Sequence, residues 1–114
     1  MSDPTCLFCR IVRREISAAV VAETDAALAF RDIDPRAPLH ALVIPKRHVA
    51  SLAEADDAAL VGELSLLAAR VAREAGYGET GFRTVVNTGP DAGQTVFHLH
   101  LHVLAGRALA WPPG

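Results

Sequence analysis

Gly93-Gln94-Thr95-Val96-Phe97-His98-Leu99-His100-Leu101-His102-Val103-Leu104 is the stretch whose reading decides the rest of the chain. From Phe97 to Val103 apolar and polar residues alternate with period two, the pattern of a half-buried strand. Side chains alternate across a strand, so His98, His100 and His102 are predicted to line one face, roughly 7 Å apart. Phe97, Leu99, Leu101 and Val103 then take the opposite face. Three of the five histidines of the chain stand in this row. Imidazole is a common metal ligand, so the row could form a chelate. It could also combine a nucleophile with a proton donor for attack on an activated phosphorus or acyl centre. The plain alternative is a solvated polar face on an edge strand.

Working outward, Phe82 to Asn87 reads as a strand. The glycine-containing turn Asn87-Thr88-Gly89-Pro90-Asp91-Ala92-Gly93 joins it to the histidine strand in a wide-mouthed hairpin. Backbone N–H groups around Gly93 to Thr95, with the Thr95 hydroxyl, can hold phosphate oxygens, and glycine lets the backbone come close. From about Asp56 to Ala75 the period becomes helical: Leu60, Leu64, Leu67 and Val71 form a stripe widened by Val61 and Ala68. Asp56 and Asp57 suit its N-terminal end, Arg70 and Arg73 its C-terminal end, and Gly76 and Gly78 its stop. Its charges read as a solvated face.

Earlier in the chain, Val20–Glu23 and Ala26–Phe30 form a hairpin around Thr24-Asp25. Asp32 to Pro38 is loop, interrupted by two prolines. His40 to Pro45 is an almost continuous apolar strand, predicted to be central. Asp32, where strand gives way to loop, suits either a ribose-binding carboxylate or a solvent-facing turn residue. His48, in Pro45-Lys46-Arg47-His48, is out of register with the triad and reads as a surface or structural residue. Lys46 and Arg47 could add a positive field near an anionic substrate or be solvated charges. Cys6-Leu7-Phe8-Cys9 opens a short helical segment with Phe8, Ile11 and Val12 on one face. Its CxxC is half a zinc site, a redox pair, or two buried cysteines. The sole tryptophan, Trp111, precedes Pro112-Pro113-Gly114 and is either docked or frayed.

At 114 residues and about half hydrophobic, the chain reads as one globular domain. A net charge of −2 without a basic run leaves no footprint for nucleic acid or a membrane surface. Met1-Ser2-Asp3-Pro4 shows no basic segment leading into an apolar one, so no secretory signal is expected. The cytoplasm is the expected location, with reduced cysteines.

Gln94-Thr95-Val96-Phe97-His98-Leu99-His100-Leu101-His102 resembles the signature of the histidine triad superfamily. Asp32-Ile33-Asp34-Pro35-Arg36-Ala37-Pro38-Leu39-His40, Val43-Ile44-Pro45-Lys46-Arg47-His48, Asn87 and Trp111-Pro112-Pro113-Gly114 narrow it to the Hint branch, from about Cys6 to Gly114. The fold implied is α+β: an antiparallel sheet of about five strands, one long helix and a short N-terminal helix, over 1–114. Residues 105–114 would be a tail packing, through Trp111, at the active site of the partner subunit in a homodimer.

The function implied is hydrolysis of the P–N bond of purine nucleoside 5′-phosphoramidates through a nucleotidyl-histidine, with no cofactor needed for catalysis. His100 would be the nucleophile, and His102 would hydrogen-bond the phosphate and help protonate the leaving amine. His98 would fix the nucleophile's ring, and His40 counts with the catalytic histidines. Asn87, Gly93, Gln94 and Thr95 would cradle the phosphate, Asp32 would hold the ribose, and Phe8, Ile11, Phe30 and Ile33 would wall the base. Zinc-containing relatives imply a structural zinc on Cys6, Cys9, His40 and His98. Alternatives are a dinucleoside polyphosphate hydrolase, a nucleotide-binding interaction protein with incidental activity, and a metal carrier.

Overall fold

The computed structural model describes residues 2–114. A short helix α1 (Leu7–Val12) starts where Cys6 caps it, the Cys6 thiol accepting from the Cys9 N–H. β1 (Val20–Glu23) and β2 (Ala27–Arg31) form the expected hairpin, the Thr24 hydroxyl accepting from Ala27 N–H at 3.0 Å in the turn. β3 (Leu39–Pro45) is buried along its whole length. The long helix α2 (Ala58–Glu74) begins at Asp57, whose carboxylate accepts from Leu60 N–H at 3.1 Å. β4 (Phe82–Val85) and β5 (Leu101–Ala105) complete one five-stranded antiparallel sheet in the order β1-β2-β3-β5-β4. β3 is therefore central, as its unbroken apolar run requires.

Period two assigns each strand residue to a side. Ala27, Ala29, Ala41, Val43, Leu101 and Val103 pack under Leu64, Leu67, Ala68 and Val71 of α2. The three alanines are small enough to let the helix close on the sheet. Leu28, Phe30, Leu42 and Ile44 face the other way, against Phe8 and Ile11 of α1. The sheet is thus sandwiched between a long helix and a short one, and the side carrying α1 also carries the histidines.

The histidine strand is shorter than the alternation predicts. The ladder begins at Leu101, and residues 96–98 bend. Leu99, Leu101 and Val103 enter the core as expected, but Phe97 is half exposed and stays out of it. Beyond Val43, β3 has no partner in β5. There the Pro45 carbonyl accepts instead from the His98 ring, Nε2 at 2.8 Å, and Leu99 N–H donates to the Val49 carbonyl. A ring nitrogen takes the place of a ladder amide, which ends the strand early. β4 likewise stops at Val85, two residues before Asn87, and two short 3₁₀ turns, Leu52–Glu54 and Pro90–Ala92, were not legible as helices.

Candidate active site

A cavity of about 680 Å³ opens beside α1, between the hairpin strands and the turn before β5. Its inner wall is apolar: Phe8 and Ile11 of α1, Phe30 of β2, and Leu42 of β3. Phe8 stands edge-on to Phe30 at 5.6 Å and to His100 at 5.2 Å between ring centroids. Asp32, Asn87, Gly93, Thr95, His100 and His102 supply its polar lining. Ile33 lies on the rim, fully exposed. An apolar wall facing convergent polar groups suits a ligand with a flat apolar end and an anionic end.

His100 is buried, and its Nδ1 lies 2.8 Å from the His98 carbonyl oxygen. A carbonyl only accepts, so Nδ1 carries the proton and Nε2 keeps a lone pair. His102 and His40 lie behind it, His102 Nδ1 standing 2.9 Å from His40 Nε2. His40 Nε2 is also 3.4 Å from Asp32 Oδ2, and His40 Nδ1 accepts from Arg36 N–H at 3.0 Å. Burial pushes His102 down to about 4, and it lowers His40 as well. Both rings are uncharged at neutral pH. His40 does not reach the cavity; it backs His102.

Gln94 does not line the cavity and is not placed as a phosphate ligand. Its amide is consumed in the turn: Nε2 donates to the carbonyls of Ala50 and Val96, and Oε1 accepts from Gly89 N–H. It braces the segment that presents Asn87, Gly93 and Thr95. Gly93 takes φ +89°, a left-handed conformation that glycine accepts without strain. Trp111 is largely exposed and makes no part of the cavity within this chain.

His98 belongs to a second cluster. Its ring is fully buried, with Nε2–H donated to Pro45 and Nδ1 facing the Cys6 and Cys9 sulfurs at 3.3 and 3.5 Å. His48 Nδ1 lies 3.3 Å from Cys9 Sγ. Donor atoms of Cys6, Cys9, His48 and His98 all fall within 4.8 Å of one another. A tetrahedral ion at ordinary Zn–S and Zn–N lengths sets adjacent sulfur and nitrogen ligands about 3.5 Å apart, so this group fits one. The Pro45 carbonyl, accepting from Nε2, turns the His98 ring so that Nδ1 faces the sulfurs. The fourth member is His48, not His40, which is occupied with Arg36 and His102 on the far side of the triad. Lys46 and Arg47 suggest a surface for His48, yet the chain leaving β3 turns back there and sets its ring against Cys9 of α1, so of its two expected readings the structural one fits. A His three residues past the end of a buried strand was the available signal.

A family model described as the HIT domain matches residues 13–109. An uncharacterised HIT-like protein of Synechococcus elongatus is 55% identical over 116 residues, with the whole of both chains covered. Among solved structures, a HIT family hydrolase from Legionella pneumophila superposes with a TM-score of 0.94 at 46% identity, covering 96% of this chain and 100% of that one. A histidine triad protein from Clostridium difficile gives 0.93 at 43%, with 96% and 97% covered. A histidine triad nucleotide-binding protein from Candida albicans gives 0.83 at 29%, with 95% and 83% covered. With the alternating histidines, the five-stranded sheet and these likenesses in agreement, the chain belongs to the HIT family.

Proposed function

We propose that the protein hydrolyses the P–N bond of purine nucleoside 5′-phosphoramidates, acting through His100. The observation that carries this reading is the His100 ring itself. Its Nδ1–H is committed to the His98 carbonyl, which leaves the Nε2 lone pair on a ring lining the cavity. In the first step Nε2 bonds to phosphorus. The P–N bond breaks, and its electron pair leaves with the amine, which takes up a proton from solvent, while His102, uncharged at neutral pH, hydrogen-bonds a phosphoryl oxygen. In the second step water attacks phosphorus and releases a proton to solvent, the Nε2–P bond returns its pair to the ring, and the nucleoside monophosphate leaves. Asn87, Gly93 and Thr95 hold the phosphoryl oxygens, Asp32 the ribose, and Phe8, Ile11 and Phe30 the base. Charge stabilisation at phosphorus supplies much of the rate in such transfers. A neighbour named as a HIT family hydrolase and another named as nucleotide-binding support the substrate class.

Cys6, Cys9, His48 and His98 would hold a zinc ion. With four protein ligands it would supply structure and offer substrate no open position. Burial raises the Cys6 thiol, so ligation releases its proton to solvent. The reading also includes a homodimer in which Trp111, exposed here, reaches the cavity of the partner subunit.

The test is intact mass spectrometry of the protein mixed with adenosine 5′-monophosphoramidate. A nucleotidyl adduct on His100 is expected, and His100→Ala should abolish turnover while nucleotide still binds. Turnover that survives in His100→Ala would sink the mechanism. Faster cleavage of a dinucleoside polyphosphate than of the phosphoramidate would move the substrate to the other hydrolase class.

A further inference from the structure

The loop between β2 and β3 is clamped against the exit of β5 at two adjacent residues. Arg107 Nε donates to the Arg36 carbonyl at 2.9 Å. Gly106, at φ +97°, passes so close that an added Cβ would lie 2.8 Å from Pro38 Cβ and 3.0 Å from the Tyr77 hydroxyl. Neither contact touches the cavity. Both fix a stretch of backbone whose next contact is a histidine.

The N–H of that same Arg36 donates to His40 Nδ1 at 3.0 Å. A backbone N–H can only donate, so His40 Nδ1 is bare and the proton of the neutral ring sits on Nε2. Nε2–H then donates across 2.9 Å to His102 Nδ1. His102 must therefore carry its own proton on Nε2. Burial disfavours a second proton on either ring, which closes the other way out. The contrast with His100 is direct, because there a carbonyl forces the proton onto Nδ1. Two rings, two residues apart, are held in opposite tautomers by main-chain groups of opposite polarity. One presents a lone pair and the other an N–H.

We propose that Arg107 is a positioning residue: by clamping Arg36 it fixes His40, and through it holds the His102 proton on Nε2, so that an arriving phosphoryl oxygen meets a donor. The use of that donor rests on the phosphoramidate reading, but the proton positions do not. A lone pair aimed at an anionic oxygen would repel it, whereas an N–H to an anion strengthens binding in the transition state. Loss of one such bond corresponds to roughly 10-fold or more in rate.

The experiment is ¹⁵N NMR of the histidine rings in the full chain at pH 7, with kinetics on the same samples. Wild-type His102 should show a protonated Nε2 and a bare Nδ1. Arg107→Ala should shift His102 toward a tautomer mixture and lower kcat about 10-fold with little change in KM; Arg107→Lys, which can still donate to the carbonyl, should restore both. Arg36→Pro removes the amide itself and should mix the tautomers of His40 and His102 while leaving His100 on Nδ1–H. A wild-type His102 protonated on Nδ1 overturns the proposal. So does an Arg107→Ala protein whose His102 signals and kcat match wild type. A wild-type protein with Nε2-protonated His102 that cleaves no phosphoramidate upholds the proton placement and sinks the functional reading instead.

Discussion

His102 titrates where its environment allows, and that gives a measurable consequence. Its folded pKa lies at about 4, against an ordinary value of 6.5, chiefly because burial disfavours the charged ring. Between those values the unfolded chain binds a proton that the folded protein refuses, so stability falls as pH drops through the interval. His40, lowered by the same cause, adds in the same direction. Urea midpoints should hold steady above about pH 7, decline toward pH 4, and decline less steeply in His102→Gln. Equal slopes in both proteins would mean that His102 titrates as an exposed histidine.

The residues of the site divide by how far their roles were legible. Strict alternation puts His100 and His102 on one face; Asp32 stays open between a ribose carboxylate and a turn residue, and Phe30 is singled out only by resemblance, yet the structure brings all four to one cavity. The role of Gln94 is not legible, because an amide can face a ligand or brace a turn with the same atoms, and only the positions of Ala50, Val96 and Gly89 decide. The role of Arg36 lies in its backbone N–H, a group that every residue except proline carries, so no side-chain pattern could reveal it.

At the scale of elements, α2 is readable to within two residues because a 3.6 period and acidic residues at its N-terminal end agree. Asp57→Ala should remove the cap and lower stability by about 1 kcal/mol without altering substrate KM, which thermal melts and steady-state kinetics would show. A larger loss, with KM affected, would tie the helix start to the site, which its place on the opposite face of the sheet argues against. β5 was less readable. Period two runs on through Phe97, but strand formation also needs a partner with free ladder groups, and β3 withdraws at Val43. Alternation reports which face a residue takes; it does not report where pairing stops. The early stop lets the His98 ring swing to Pro45 and the sulfurs while its carbonyl turns to His100.

For the molecule as a whole, that divided residue couples the second cluster to the first. α1 has six residues, far too few to persist alone, and packs through Phe8 and Ile11. An ion on Cys6, Cys9, His48 and His98 would join α1, the chain after β3 and the approach to β5, three segments distant in sequence. A ligand bound only in the folded state stabilises by mass action, and closing those loops adds to it. Stripping such an ion with a strong chelator should lower Tm by roughly 10 °C, equivalent to about 2 kcal/mol for a domain near this size. It should also reduce kcat, because His98 freed from the ion no longer holds its carbonyl firmly on His100 Nδ1. Metal analysis should give about one zinc per chain before treatment, and Cys9→Ser should reproduce the chelated protein in both respects. Protein purified without metal, with a melting temperature that chelator leaves unmoved, would show instead that two thiols and two imidazoles form a hydrogen-bonded knot that supports α1 unaided.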